Sequence, residues 1–136
     1  MSSLYTDIIQ DAYRYPAHRG ELPEHTHAYE DENPLCGDMV RVEIRVEEGR
    51  IAEARFGGRG CAISQASAEL MCDLIEGRPV EDVGTLDRTV VLEELGLPTI
   101  TPARLKCALL PVEVMKRAVG SAPSPPAPLP PGERGA

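Results

Sequence analysis

Three cysteines and one aspartate, Cys36, Asp38, Cys61 and Cys107, are the side chains of this sequence best suited to holding a soft metal or handling sulfur. Cys36 stands in the stretch NPLCGD, residues 33–38, between Pro34 and Gly37, with the carboxylate of Asp38 two positions on. A thiol used for packing alone more usually sits inside an apolar run, where its sulfur behaves as a small hydrophobe. Cys61 closes the glycine-rich run GGRGC, and Cys107 falls in PARLKCALL. Three thiolates and one carboxylate make a complete tetrahedral set for zinc, or for iron in an iron–sulfur cluster. No CxxC pair is present, and the same spacing also fits four buried thiols with Asp38 capping a turn.

Whether these residues meet depends on the elements between them. In MVRVEIRV, residues 39–46, Val40, Val42, Ile44 and Val46 alternate with Arg41, Glu43 and Arg45, the pattern of a strand with one buried face. EEGR supplies a turn, and IAEARF, residues 51–56, returns with Ala52, Ala54 and Phe56 on one side. An antiparallel hairpin joins its two ends, so the Cys36 loop before it comes beside the Cys61 loop after it. A lone hairpin is marginal in water, so its apolar face needs helices and a third strand. One weak strand signal lies near residues 26–30, in a polar segment broken by Pro and Gly.

The rest reads as helices. Residues 3–15 place Leu4, Ile8, Ala12 and Tyr15 at helical spacing, with Ser2 or Ser3 as cap and Pro16 as stop. Residues 62–76 carry a stripe of Ile63, Ala66, Leu70 and Leu74 before Gly77 and Pro79. Cys61 therefore sits at a helix N-terminus, whose partial charge favours thiolate by about 0.3–1 kcal/mol. LDRTVVLEELG forms a helix closed by Gly96, and TPARLKCALL opens another with Thr101 as cap and Pro102 first. Pro111 is expected to interrupt that helix, which restarts as PVEVMKRAV and ends at Gly120.

Packing of these last helices over the end of the sheet brings in Cys107. Gly37, Gly58 and Gly60 allow turns and close backbone approach, while Arg59, Arg104 and Lys106 add positive potential around the thiolates. Cys72 follows Cys61 on the same helix, about 16 Å along its axis, so it is read as a packing residue. His25 and His27 form an HxH in the polar segment and are read as solvated loop residues.

The chain of 136 residues allows one domain, residues 1–120, followed by a proline-rich flexible tail, 121–136. Its 14 basic against 22 acidic residues give a charge of -8, which disfavours broad capture of nucleic acid or an anionic membrane. No apolar run approaches the ~20 residues needed to span a bilayer, and MSSLYTDIIQ lacks the basic start and apolar centre of a signal peptide. A cytoplasmic protein is expected.

NPLCGD, GRGCAISQASAELM and PARLKCALL, in this order, resemble the IscU/SufU/NifU-N-terminal family of iron–sulfur cluster assembly proteins, as does the opening LYTDIIQDAYRYPAHRGEL. The resemblance implies an α+β fold, a three-stranded antiparallel sheet with helices packed on one side and a solvent-facing site at one end. It carries the ligand set onto Cys36, Asp38, Cys61 and Cys107, with Arg104 and Lys106 in support.

The resemblance also implies a partner, a pyridoxal-phosphate cysteine desulfurase of the SufS kind, and delivery to downstream cluster assembly proteins or apo iron–sulfur proteins. Lys106 stands where the IscU type has a histidine, and TITPARLKC replaces that type's LPPVK segment. Both features are similar to the SufU type, although the 45 residues between Cys61 and Cys107 are too few for SufU's usual insertion. SufU similarity implies bound zinc, Cys36 as sulfur acceptor and an activity as a zinc-dependent sulfurtransferase. The alternative is a scaffold that builds and transfers a transient [2Fe–2S] cluster on the same four ligands.

Overall fold

The computed structural model describes residues 7–33, 37–97 and 100–120. Three strands, β1 (His27–Asn33), β2 (Asp38–Glu47) and β3 (Arg50–Arg59), form one antiparallel sheet in that order. The expected hairpin is β2–β3, turned through Glu48 and Gly49 with φ of 54° and 77°. Val42 pairs with Phe56 and Ile44 with Ala54, and these four side chains and Val40 are buried.

The register shifts at one point. Arg45 pairs with Glu53, but Val46 pairs with Ile51, leaving Ala52 as the extra residue of a bulge. Ile51 rather than Ala52 therefore enters the core, a correction to the strict alternation read from the sequence. β3 also continues through Gly57 and Gly58 to Arg59, which pairs with Met39.

β1 is longer than its weak signal promised, because its backbone completes a ladder with β2 from His27↔Ile44 to Asn33↔Asp38. His27 lies on this strand and is buried, not solvated. Burial lowers the pKa of its imidazole, and its Nδ1 lies 2.8 Å from the Thr26 hydroxyl. His25 is half-buried, with Nδ1 2.8 Å from the Leu22 carbonyl.

Among the described residues, the α-helices α1 (Asp7–Arg14), α2 (Ala62–Ile75), α3 (Arg88–Leu95) and α4 (Pro102–Gly120) accompany a 3-10 turn, Val80–Thr85. α2 packs against β3, α4 against β1 and β2, and α1 against α2, so the apolar face of the sheet and the helices share one core. With neighbours on several sides, α2 buries most of its circumference, including Ser64, Ser67, Ala68 and Met71, whereas the stripe residues Leu70 and Leu74 are half-buried. α1 turns Ile9 and Ala12 inwards and leaves Ile8 exposed. Tyr15 is exposed because the helix has ended at Arg14; Ser2, Ser3 and Leu4 lie outside the described residues, as does the tail 121–136. Among the described residues, no helix is long and apolar enough to cross a membrane.

α3 closes at Gly96 as expected, left-handed with φ 76°, and begins after Asp87, whose Oδ1 accepts the Val90 N–H at 3.1 Å. α4 differs from expectation, running unbroken through Pro111. A mid-helix proline removes a hydrogen bond at a cost of about 3 kcal/mol. Leu110, Val112, Val114 and Met115, buried on the same helix, offset that cost, since each fully buried aliphatic side chain contributes about 1.5–3 kcal/mol.

The segment after α1 lies along the outer edge of β3. Gly20 donates its N–H to the Phe56 carbonyl at 2.9 Å and Phe56 donates to the His18 carbonyl at 3.0 Å. His18 itself is buried, its Nδ1 2.8 Å from Glu69 Oε2 and its Nε2 3.1 Å from Glu76 Oε1, both on or next to α2.

Candidate metal centre

Asp38 opens β2, Cys61 immediately precedes α2, and Cys107 sits in the first half of α4. One ligand atom from each of these three residues lies within 4.8 Å of the others. The hairpin accounts for the first pair. Because Met39 pairs with Arg59, the start of β2 faces the Gly60–Cys61 exit from β3. Asp38 Oδ1 accepts the Cys61 backbone N–H at 3.3 Å, and Oδ2 lies 3.7 Å from Cys61 Sγ.

Gly60 makes this approach feasible. A Cβ at that position would lie 2.7 Å from Asp38 Cγ and 2.6 Å from Ser64 Oγ. At Gly58, where φ is 123°, a Cβ would overlap the Met39 carbonyl, so a side chain there would break the ladder that aligns Asp38 with Cys61. Cys61 caps α2 with an extended backbone and makes no side-chain capping bond. Its carbonyl instead accepts the Gln65 N–H and the Ser64 hydroxyl, each at 3.1 Å.

Cys107 reaches the group because α4 crosses α2 closely. The buried Ser67 hydroxyl donates to the Ala108 carbonyl at 2.6 Å, one residue beyond Cys107. Asp38 and Cys107 are buried and Cys61 is half-buried, so solvent reaches the group at Cys61. Cys36 lies outside the described residues. Of the described residues on either side of it, Gly37 donates its N–H to the Asn33 carbonyl at 2.8 Å.

The donor set suits a thiophilic cation. A tetrahedral zinc with sulfur at about 2.3 Å and oxygen at about 2.0–2.2 Å places its ligand atoms within 4 Å or so of one another, compatible with the 4.8 Å span of Asp38, Cys61 and Cys107. Cys72 is excluded from the group: it is fully buried in the core, and burial, with the charges of Glu69 and Glu76, pushes its thiol well above the usual range.

The cations expected in support lie one to three residues from Cys61 or Cys107 along the chain. Arg59 is exposed at the end of β3 and, with Arg19, Tyr13 and Gln65, lines an open groove of about 450 Å³ beside Gly60. Lys106 is exposed beside Cys107 and faces a second groove with Asn33 and Leu109. Arg104 is half-buried in the first turn of α4, where its N–H meets the Thr101 hydroxyl at 3.4 Å. The sequence reading missed His18 and Ser67, each a polar residue in an ordinary helical or loop context whose partner lies far along the chain.

The family description "NifU-like N terminal domain" matches residues 4–124. The iron–sulfur cluster assembly scaffold protein IscU of Thermotoga maritima is 34% identical over 131 residues, covering 85% of this chain and 92% of its own. The zinc-dependent sulfurtransferase SufU of Bacillus subtilis is 28% identical over 135 residues, covering 88% and 91%. Among solved structures, a SUF-system scaffold protein from Fervidobacterium islandicum superposes with a TM-score of 0.70 at 27% identity, over 85% of this chain and 96% of that one.

Proposed function

The chain belongs to the NifU-like N-terminal domain family of iron–sulfur cluster assembly proteins, and on that premise we propose that it accepts sulfur from a cysteine desulfurase at a zinc site made by Cys36, Asp38, Cys61 and Cys107. The observation that carries this reading is the convergence of Asp38, Cys61 and Cys107, from three separate elements, on one small volume. Chain connectivity supports Cys36 as the third sulfur, since two trans peptide steps of 3.8 Å keep its Cα within about 7.6 Å of that of Asp38.

Zinc, when bound, supplies a redox-inert Lewis acid that holds its cysteines as thiolates. The residues of the chain do the rest. The Cys36 thiolate attacks the outer sulfur of the desulfurase persulfide; a new S–S bond forms on Cys36 as the partner's S–S bond breaks. The transferred sulfur keeps its proton and the partner cysteine leaves as thiolate, so no oxidant is required. Asp38, held by the Cys61 N–H, supplies the one hard donor, and Arg59, Arg104 and Lys106, each within three residues of Cys61 or Cys107 along the chain, offer positive charge on a chain of charge -8.

A scaffold reading has its own support. The Thermotoga relative is named a scaffold, and a hard carboxylate among thiolates makes a transient [2Fe–2S] cargo easier to release. One assay separates the two: the zinc-loaded protein is mixed with its desulfurase and cysteine, and turnover and persulfide on each cysteine are measured. Strong stimulation with persulfide on Cys36 supports sulfur acceptance. Cluster formation without stimulation supports the scaffold.

A further inference from the structure

The carbonyl of Ala108 is bound by a side chain from another helix at the point where α4 passes its ligand cysteine. Ser67, with no exposed surface, donates its hydroxyl to that carbonyl at 2.6 Å across 41 positions of sequence. A serine inside a helix more often bonds back to its own preceding turn, as Ser64 does to Cys61. Ser67 is instead turned towards α4, between Ala66 and Ala68, both fully buried.

Pro111 gives this bond its consequence. Having no N–H, it cannot donate to the carbonyl of Cys107 four residues earlier, and its ring crowds that carbonyl. A proline loosens the helical ladder over the preceding turn, which here contains Cys107 and Ala108. The Ser67 hydroxyl is a fixed donor arriving on that turn from α2, the helix that begins at Cys61.

We propose that Ser67 is a positioning residue for the metal centre: its bond to the Ala108 carbonyl, one residue from the carbonyl to which Pro111 has no N–H to donate, fixes the Cys107 thiolate relative to Cys61. The proposal rests on the metal-site reading above and adds a group that touches no metal. Buried partners of this kind orient ligands by hydrogen bonding, and their loss typically costs metal affinity about ten- to a hundredfold.

Cobalt(II) titration tests it, because thiolate-to-cobalt charge-transfer and ligand-field bands report both the number and the geometry of the ligands. Ser67→Ala is expected to bind cobalt at least about tenfold more weakly with shifted ligand-field bands, while its circular dichroism stays that of the parent. Ser67→Thr, which keeps the hydroxyl, is expected to restore affinity and bands. Parent-like affinity and bands in Ser67→Ala would overturn the proposal, and so would equal losses in the Ala and Thr variants, including a shared failure to fold. A parent protein with no thiolate–cobalt bands would instead overturn the metal-site reading, and this inference with it.

Discussion

Asp38 and Cys61 meet through two contacts: the carboxylate takes the Cys61 backbone N–H at 3.3 Å with one oxygen and lies 3.7 Å from its sulfur with the other. The first contact fixes the carboxylate and leaves the second oxygen facing the thiol. Gly60 leaves the space for it. Gly60→Ala is therefore expected to push Asp38 aside and weaken zinc binding by about tenfold or more, with the secondary structure retained. Competition against a chromophoric chelator measures this; an unchanged zinc affinity would show that Asp38 is not a ligand.

The His18 clasp makes a stability prediction with a definite sign. Burial by itself draws the imidazolium down, but hydrogen bonds and charges from Glu69 and Glu76 outweigh it and raise the pKa above 6.5. Asp73, 3.9 Å from Nε2, adds a third negative group, and Arg55 shares Glu76 at 3.1 Å. A group whose pKa is raised by folding contributes fully below its unfolded value and loses that contribution as pH rises through the folded one. Urea unfolding at fixed zinc loading should show His18→Gln destabilised by about 1–3 kcal/mol near pH 6, with the deficit shrinking as pH rises. A deficit that grows with pH would contradict the clasp.

Cys72 should behave as core and nothing else. Its burial and raised pKa keep it a neutral thiol, and thiolate is the reactive form. In the metal-free native protein, iodoacetamide at neutral pH should label the half-buried Cys61 and spare Cys72 until urea unfolds the chain. Cys72→Ala should cost about 1 kcal/mol of stability and leave zinc content unchanged. Labelling of native Cys72 at the rate of Cys61 would overturn this assignment.

These cases also show what a sequence can disclose. The β2–β3 hairpin was legible because Val40, Val42 and Ile44 alternate cleanly, and its closure alone brings Asp38 to Cys61. The bulge that exchanges Ala52 for Ile51 was not, since both residues are apolar and the shift lies in the pairing. β1 carries HAYEDEN and is made a strand by the edge of β2 rather than by its own pattern. Pro111 reads as a break by local rules, yet the burial of its neighbours carries α4 through it. Cys72 could be set apart by helical geometry, whereas His18 and Ser67 depend on partners 41 or more positions away.

Zinc K-edge X-ray absorption on the purified protein, with Cys36→Ser beside it, measures the coordination itself. Three sulfurs at about 2.3 Å and one oxygen at about 2.0 Å are expected, falling to two sulfurs in Cys36→Ser. A parent shell with two sulfurs, or a sulfur count that the Cys36 substitution leaves unchanged, would contradict the four-ligand site.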